Sequence, residues 1–245
     1  MMNILAFDTC FDACSVAVHS AETGGITTER ELMRRGHAEV LLPMIERTMK
    51  AAGVAFDRLD RIAVTHGPGT FTGARVGMSA ALGASFAHAL PVVTYSSLQC
   101  VARAAIEALG DEVTHFEGVL VARDAKRDSV FVEVTDMAGD ELDAPALLSV
   151  ADARQVARSR RLFALGSGAP LLAGDDGAQP GGLTTDWPAQ SPLGIAEPDA
   201  RFLLQDAASR TPAQALVPLY LRAPDATPSS RLPLARLVNL PAADA

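Results

Sequence analysis

Three places in this chain carry residue types that could do chemistry. Asp8-Thr9 closes the apolar run Ile4-Leu5-Ala6-Phe7, and Asp124 closes a second such run from Gly118 to Ala122. His66-Gly67-Pro68-Gly69-Thr70-Phe71-Thr72-Gly73 joins a third apolar run to a long stretch of small residues. An Asp followed by a small hydroxyl residue offers the hard oxygens that a Mg²⁺-bound phosphate prefers. The same carboxylate could instead close its own turn by accepting backbone amides, and both readings of Asp8 stand. In the glycine run, Gly67 and Gly69 permit positive φ and close backbone approach, and Thr70 sits where a helix begins. Free amides and the positive dipole end make such a start an anion site. The run lacks the Gly-Lys-Ser/Thr element of a phosphate loop and does not match GxGxxG, so a purely structural turn is the alternative.

Other chemistries find no residues. There is no HExxH and no GxSxG, so metalloprotease and serine-hydrolase chemistry have no support. Cys10, Cys14 and Cys100 are odd in number and form no CxxC pair. They read as reduced thiols. With 21 basic against 29 acidic residues the net charge is -8, which makes the chain a poor nucleic-acid binder on its own. No uninterrupted apolar stretch is long enough to span a bilayer and no signal-peptide pattern opens the chain, so a cytoplasmic protein without membrane contact is expected.

The elements that must position these residues emerge from periodicity. Residues 3–8, 13–19 and 26–33 read as three strands of an antiparallel meander. Residues 37–52 read as a helix stopped by Gly53, with Val40, Leu41, Met44, Ile45 and Met49 at helical spacing. A strand over 61–65 leads into the glycine run, and after it comes a helix over 74–89 with a small-residue face of Gly77, Ala80, Ala81 and Ala84. A strand over 92–95, a helix from Ser96 or Ser97 to 109, a linker over 111–117 and a hairpin of 118–124 with 129–135 come next. Then a helix over 150–159, a strand over 161–165, a loop over 174–194, a helix over 197–208 and a Pro/Ala-rich mobile tail from 223 are expected. The first hairpin repeats: Ala6/Ala122, Asp8/Asp124, Asp12/Asp128, Val16/Val132 and Val18/Val134 match at one constant offset. Such a duplication predicts an α/β fold of actin-like ATPase type. Its two lobes, 1–110 and 111–222, would each hold a mixed sheet flanked by helices, with 223–245 as the tail.

Several motifs together resemble a known family. Met2-Asn3-Ile4-Leu5-Ala6-Phe7-Asp8-Thr9, Gly36-His37-Ala38-Glu39-Val40-Leu41-Leu42-Pro43-Met44-Ile45, Gly67-Pro68-Gly69-Thr70-Phe71-Thr72-Gly73-Ala74-Arg75-Val76-Gly77, Asp124-Ala125-Lys126 and Pro218-Leu219-Tyr220-Leu221-Arg222 are similar to the bacterial TsaB (YeaZ) family. The resemblance runs over about 2–222 and is densest in the first 100 residues. It implies a part in placing N6-threonylcarbamoyl on adenosine 37 of tRNAs that read ANN codons. It also implies a catalytic paralogue, TsaD, of the same fold, which performs the transfer, and a small ATPase, TsaE. The family member itself is held not to be the transferase. The catalytic paralogues carry two histidines one helical turn apart; here His37 has Leu41 in the second position, so no metal centre is expected.

The resemblance thereby implies a scaffold that activates the TsaD-like paralogue and meets tRNA only through that complex. His37, Val40, Leu41, Met44 and Ile45 on one helix and Gly77, Ala80, Ala81 and Ala84 on the other are the expected partner face. Two helices meeting two from a paralogue, or from a second copy when the partner is absent, would form a four-helix bundle. No cofactor is certain; weakly held ATP or ADP with Mg²⁺ at Asp8, Thr9, Gly67, Gly69, Thr70 and Asp124 is the candidate. The competing function is an ATP-dependent kinase or ATPase of the sugar-kinase type. That function needs a general base and a full adenosine-binding segment.

Overall fold

A computed structural model describes residues 1–110, 116–173 and 197–222. Strands β1 (Ile4–Asp8), β2 (Ala13–His19) and β3 (Ile26–Leu32) form the expected meander. β4 (Arg61–Gly67) runs parallel to β1, and β5 (Val92–Ser96) parallel to β4, giving the order β3-β2-β1-β4-β5. The second sheet holds β6 (Gly118–Lys126), β7 (Ser129–Thr135), β8 (Glu141–Ser149) and β9 (Leu162–Leu165) in the order β8-β7-β6-β9. Each parallel pair needs a crossover. Helix α1 (His37–Ala52) lies in the crossover from β1 to β4, and α4 (Val150–Ser159) in the one from β6 to β9. The second sheet therefore repeats the order of the first from β3 to β4, and β5 has no counterpart in it among the described residues.

Alternation along β1 builds two cores at once. Leu5 and Phe7 face α1 and α2 (Phe71–His88), where Leu41, Met44, Ile45, Met49, Met78 and Ala81 pack on them. Ile4 and Ala6 face the opposite way, toward α3 (Ser97–Leu109). Leu98, Val101 and Ala105 of α3 also meet Val119, Val121 and Phe163 of the second sheet, so this core belongs to both lobes. A third core lies under α4, with Val130, Val132, Leu162, Ala153 and Ala157.

Four features differ from the sequence expectations. β8 is a strand no pattern announced: Glu141-Leu142-Asp143-Ala144-Pro145 lacks β-branched residues and carries a proline, which an edge strand tolerates and a central one does not. α2 starts at Phe71 because the Thr70 hydroxyl caps it, accepting from the Gly73 amide at 3.0 Å. The helix expected over 197–208 is a short 3-10 segment, Ala200–Leu204. Carbonyls in and beside it are taken by α3 side chains, Cys100 Sγ donating to Asp199 and Arg103 Nη1 to Phe202. Finally, the stripe of α1 expected to face a partner faces its own sheet. Leu41, Met44 and Ile45 are buried, as are Gly77 and Ala81 of α2. An amphipathic helix on a sheet turns its strongest apolar stripe inward. The loop expected over 174–194 and the tail from 223 lie outside the described residues, as do 111–115 of the linker.

Met44 has no exposed surface, so Met44→Ala should cost about 2–5 kcal/mol. Equilibrium urea unfolding checks this as a lowered midpoint at unchanged slope.

Candidate functional site

Asp8 ends β1 with its carboxyl fully buried. One oxygen accepts from the Thr65 hydroxyl, and both lie 3.3 Å from the Cys10 amide. Burial pushes the carboxyl up to about 6, against the pull of the Thr65 and Cys10 hydrogen bonds. Thr9 is engaged as well, its hydroxyl donating to the Gly73 carbonyl at 2.6 Å. The Thr70 amide donates to the Cys10 carbonyl at 2.7 Å. The glycine run is thus clasped directly onto the β1–β2 turn. A Cβ on Gly69 would strike the Cys10 carbonyl, and one on Gly73 the Thr9 carbonyl. On its other side the run meets the 213–222 segment, where the Leu219 amide donates to the His66 carbonyl at 2.7 Å.

Asp124 makes the matching turn in the second lobe. Its Oδ1 accepts from the Lys126 amide at 2.8 Å and Oδ2 from the Lys126 ammonium, and these bonds hold its carboxyl below the usual range. Each of Asp8, Thr9, Thr70 and Asp124, expected at phosphate and Mg²⁺, is therefore already engaged in hydrogen bonds within the protein. Among the described residues no group of three or more His, Cys, Asp and Glu is placed to hold a metal. His37, expected at solvent or a partner, is buried instead: its Nε2 donates to the Phe11 carbonyl at 2.9 Å. Between the lobes, Arg123 pairs with Glu197 at 2.7 Å and lies over the Phe11 ring, while Glu197 accepts from the Asp12 amide at 2.9 Å.

What the described residues leave uncovered is the outer side of α1 and α2. A groove of about 570 Å³ between them is lined by Ala38, Leu42, Phe71, Arg75, Val76 and Ala80, among others. Leu42 is 63% exposed, Phe71 51%, Leu82 56% and Phe86 92%. Val40, Ala80 and Ala84, from the expected partner face, are half-buried. A bare apolar surface of this kind marks an interaction site. It lies on the two helices that the sequence singles out: Leu41 and Ala80 of the expected face line it, and the rest comes from their outer faces. A signal for those faces was present: Leu41 and Leu42 are adjacent and cannot both face one sheet. Phe71, Leu82 and Phe86 likewise fall outside the inward stripe of Ala74, Met78 and Ala81.

Twin lobes of like strand order, with self-closed turns and an apolar helix pair bare among the described residues, define a two-lobed α/β body. Residues 14–163 match the family described as TsaD: tRNA N6-adenosine threonylcarbamoyltransferase, and the chain belongs to that family, on its TsaB (YeaZ) side. A solved structure, YeaZ from Pseudomonas aeruginosa, is 28% identical and superposes with a TM-score of 0.71, over 90% of this chain and 100% of that one. The Haemophilus influenzae tRNA threonylcarbamoyladenosine biosynthesis protein TsaB is 38% identical over 130 residues, 53% of this chain and 52% of that protein. A tRNA N6-adenosine threonylcarbamoyltransferase from Geobacter sp. is 39% identical over 87 residues, 36% of this chain and 25% of that enzyme. The chain thus spans about half the length of the curated TsaB relative it matches.

The Asp8 carboxyl binds its proton more tightly folded than unfolded, so it favours the folded state below its unfolded value of 3.8 and loses that contribution as pH rises through about 6. Ionised at pH 8 it costs about 3 kcal/mol relative to acid conditions. Asp8→Asn should remove this dependence. Urea midpoints of the two proteins measured from pH 4 to 8 should show the variant gaining on the parent as pH rises, and parallel profiles would contradict the assignment.

Proposed function

We propose that this chain is a non-catalytic partner subunit in tRNA threonylcarbamoyladenosine biosynthesis. It docks a TsaD-like transferase through the outer face of α1 and α2 and supports transfer of the threonylcarbamoyl group to N6 of adenosine 37 by that partner. The observation that carries this reading is the bare groove, backed by similarity to TsaB proteins and to the transferases themselves. A partner of the same fold carries an equivalent helix pair, so the two can pair about a pseudo-twofold axis. The resemblance requires a second histidine one turn after His37 for the transferase's metal, and that position is the buried Leu41. A TsaE-like ATPase then acts on the assembled pair, and tRNA is met chiefly by the partner, consistent with the acidic balance of this chain.

The full chain mixed with the transferase paralogue from the same genome should elute as a stoichiometric complex and raise transfer to tRNA, while the isolated chain shows none. Leu42→Glu should weaken the complex about tenfold or more with unfolding unchanged, because Leu42 is exposed in the free protein. Robust ATP hydrolysis by the isolated chain would favour the kinase-type reading instead.

A further inference from the structure

One charged side chain lines the groove, and it is held unusually firmly for a surface residue. The Arg75 guanidinium lies 3.5 Å from the Phe71 ring centroid and 5.6 Å from that of Tyr220. Phe71 and Tyr220 stack on each other with centroids 5.5 Å apart. Arg75 Nε donates to the Tyr220 hydroxyl at 2.6 Å. Tyr220 in turn is fixed on both sides: the Leu219 amide donates to the His66 carbonyl, and Arg222 Nη1 donates to the Ala125 carbonyl at 2.7 Å. These contacts engage the ring-facing surface and the inner nitrogen of Arg75. They leave its two terminal nitrogens without a carboxylate from the described residues.

This fixing sets Arg75 apart: exposed Arg35, Arg58 and Arg158 likewise face no acid among the described residues, but no hydrogen bond or ring contact holds their guanidinium groups. Exposed Arg34, Arg47, Arg160 and Arg201 each lie within ion-pair distance of an acid. In a chain with 29 acidic residues, an arginine that is rigidly positioned yet faces no carboxylate is set up for a charge from outside. A guanidinium fork whose rotamer is already fixed binds a carboxylate through two parallel hydrogen bonds at reduced entropic cost. The apolar groove around it suits protein side chains, and the net charge of -8 opposes a polyanion.

We propose that Arg75 is the electrostatic anchor of the docking face, receiving a carboxylate from the partner protein that fills the α1–α2 groove. This rests on the docking reading above and adds to it the chemistry that selects the partner. None of the groove-lining residues is acidic. A desolvated, unpaired charge is strongly disfavoured, so Arg75 favours a partner that brings a carboxylate into the groove.

The test uses the full chain and the transferase paralogue from the same genome, with affinity read by titration calorimetry. Arg75→Gln should weaken the heterocomplex about thirtyfold. Arg75→Lys should recover only part of that loss, since it keeps the charge and loses the fork and the stack. Tyr220→Phe should cost severalfold by freeing the guanidinium. Wild-type affinity should fall steeply with added salt and that of Arg75→Gln should not. Arg75→Leu should bind the partner less well than wild type. If Leu42→Glu abolishes the heterocomplex but Arg75→Gln and Arg75→Leu bind as wild type, the anchor is refuted and the docking face stands. If Leu42→Glu binds normally, the docking face itself is refuted and the anchor with it. Full rescue by Lys would refute the fork.

Discussion

The burial of α3 between two sheets is the constraint on which the rest of this structure depends. Its Leu98, Val101 and alanines fill a core to which both lobes contribute, so neither lobe completes its own interior without it. Polar contacts fix the helix at this seam. Arg103, 4% exposed at its side chain, pairs with Asp206 at 2.7 Å, and the Tyr95 hydroxyl donates to the same oxygen at 2.8 Å. Burial alone would raise the Asp206 carboxyl, but Arg103 and Tyr95 outweigh it and hold it low. Gln99 donates to the Gly139 carbonyl across the seam at 2.9 Å. The arrangement also has a cost. Glu133 is buried on β7, neither carboxyl oxygen in regular hydrogen-bond geometry with the described residues, and burial pushes it up to about 7 against the weaker pull of the nearby Ser96 hydroxyl and Gln99 backbone amide.

With the lobes joined through α3, the two faces of the first sheet are committed differently. The inner face is shared with the second lobe, and the outer face is covered chiefly by α1 and α2. Among the described residues no third layer lies above this helix pair. Its own outer surface therefore meets either water or another protein. Here that surface carries Leu42, Phe71, Leu82 and Phe86 where water would favour charge. The glycine run contributes by closing tightly on the β1–β2 turn, which sets the start of α2 and with it the position of Phe71 and Arg75 at the mouth of the groove.

The duplicated plan was legible because it is written in local signals: an apolar strand, an aspartate, a short turn and an alternating strand, twice at one offset. The glycine run was legible as a place of close backbone approach, but not what would approach. Residue types alone allowed phosphate, while the structure fills that space with the carbonyls of Thr9 and Cys10. β8 was invisible because an edge strand relaxes the pattern rules by which strands are recognised. Met44 and Ile45 read as partner residues because helical spacing identifies a stripe without saying which neighbour it meets.

The amino-acid sequence by itself determined the lobes, their internal repeat, the turn residues and the family motifs, since each is encoded within a few neighbouring positions. Tertiary structure alone decided which side of α1 and α2 remains bare, and that Tyr220 from the far end of the described chain comes to rest on Phe71 and Arg75. Those outcomes depend on contacts between residues far apart in the chain, such as Arg75 and Tyr220 at a separation of 145 positions. Such contacts are set by how whole layers pack, which no local pattern carries.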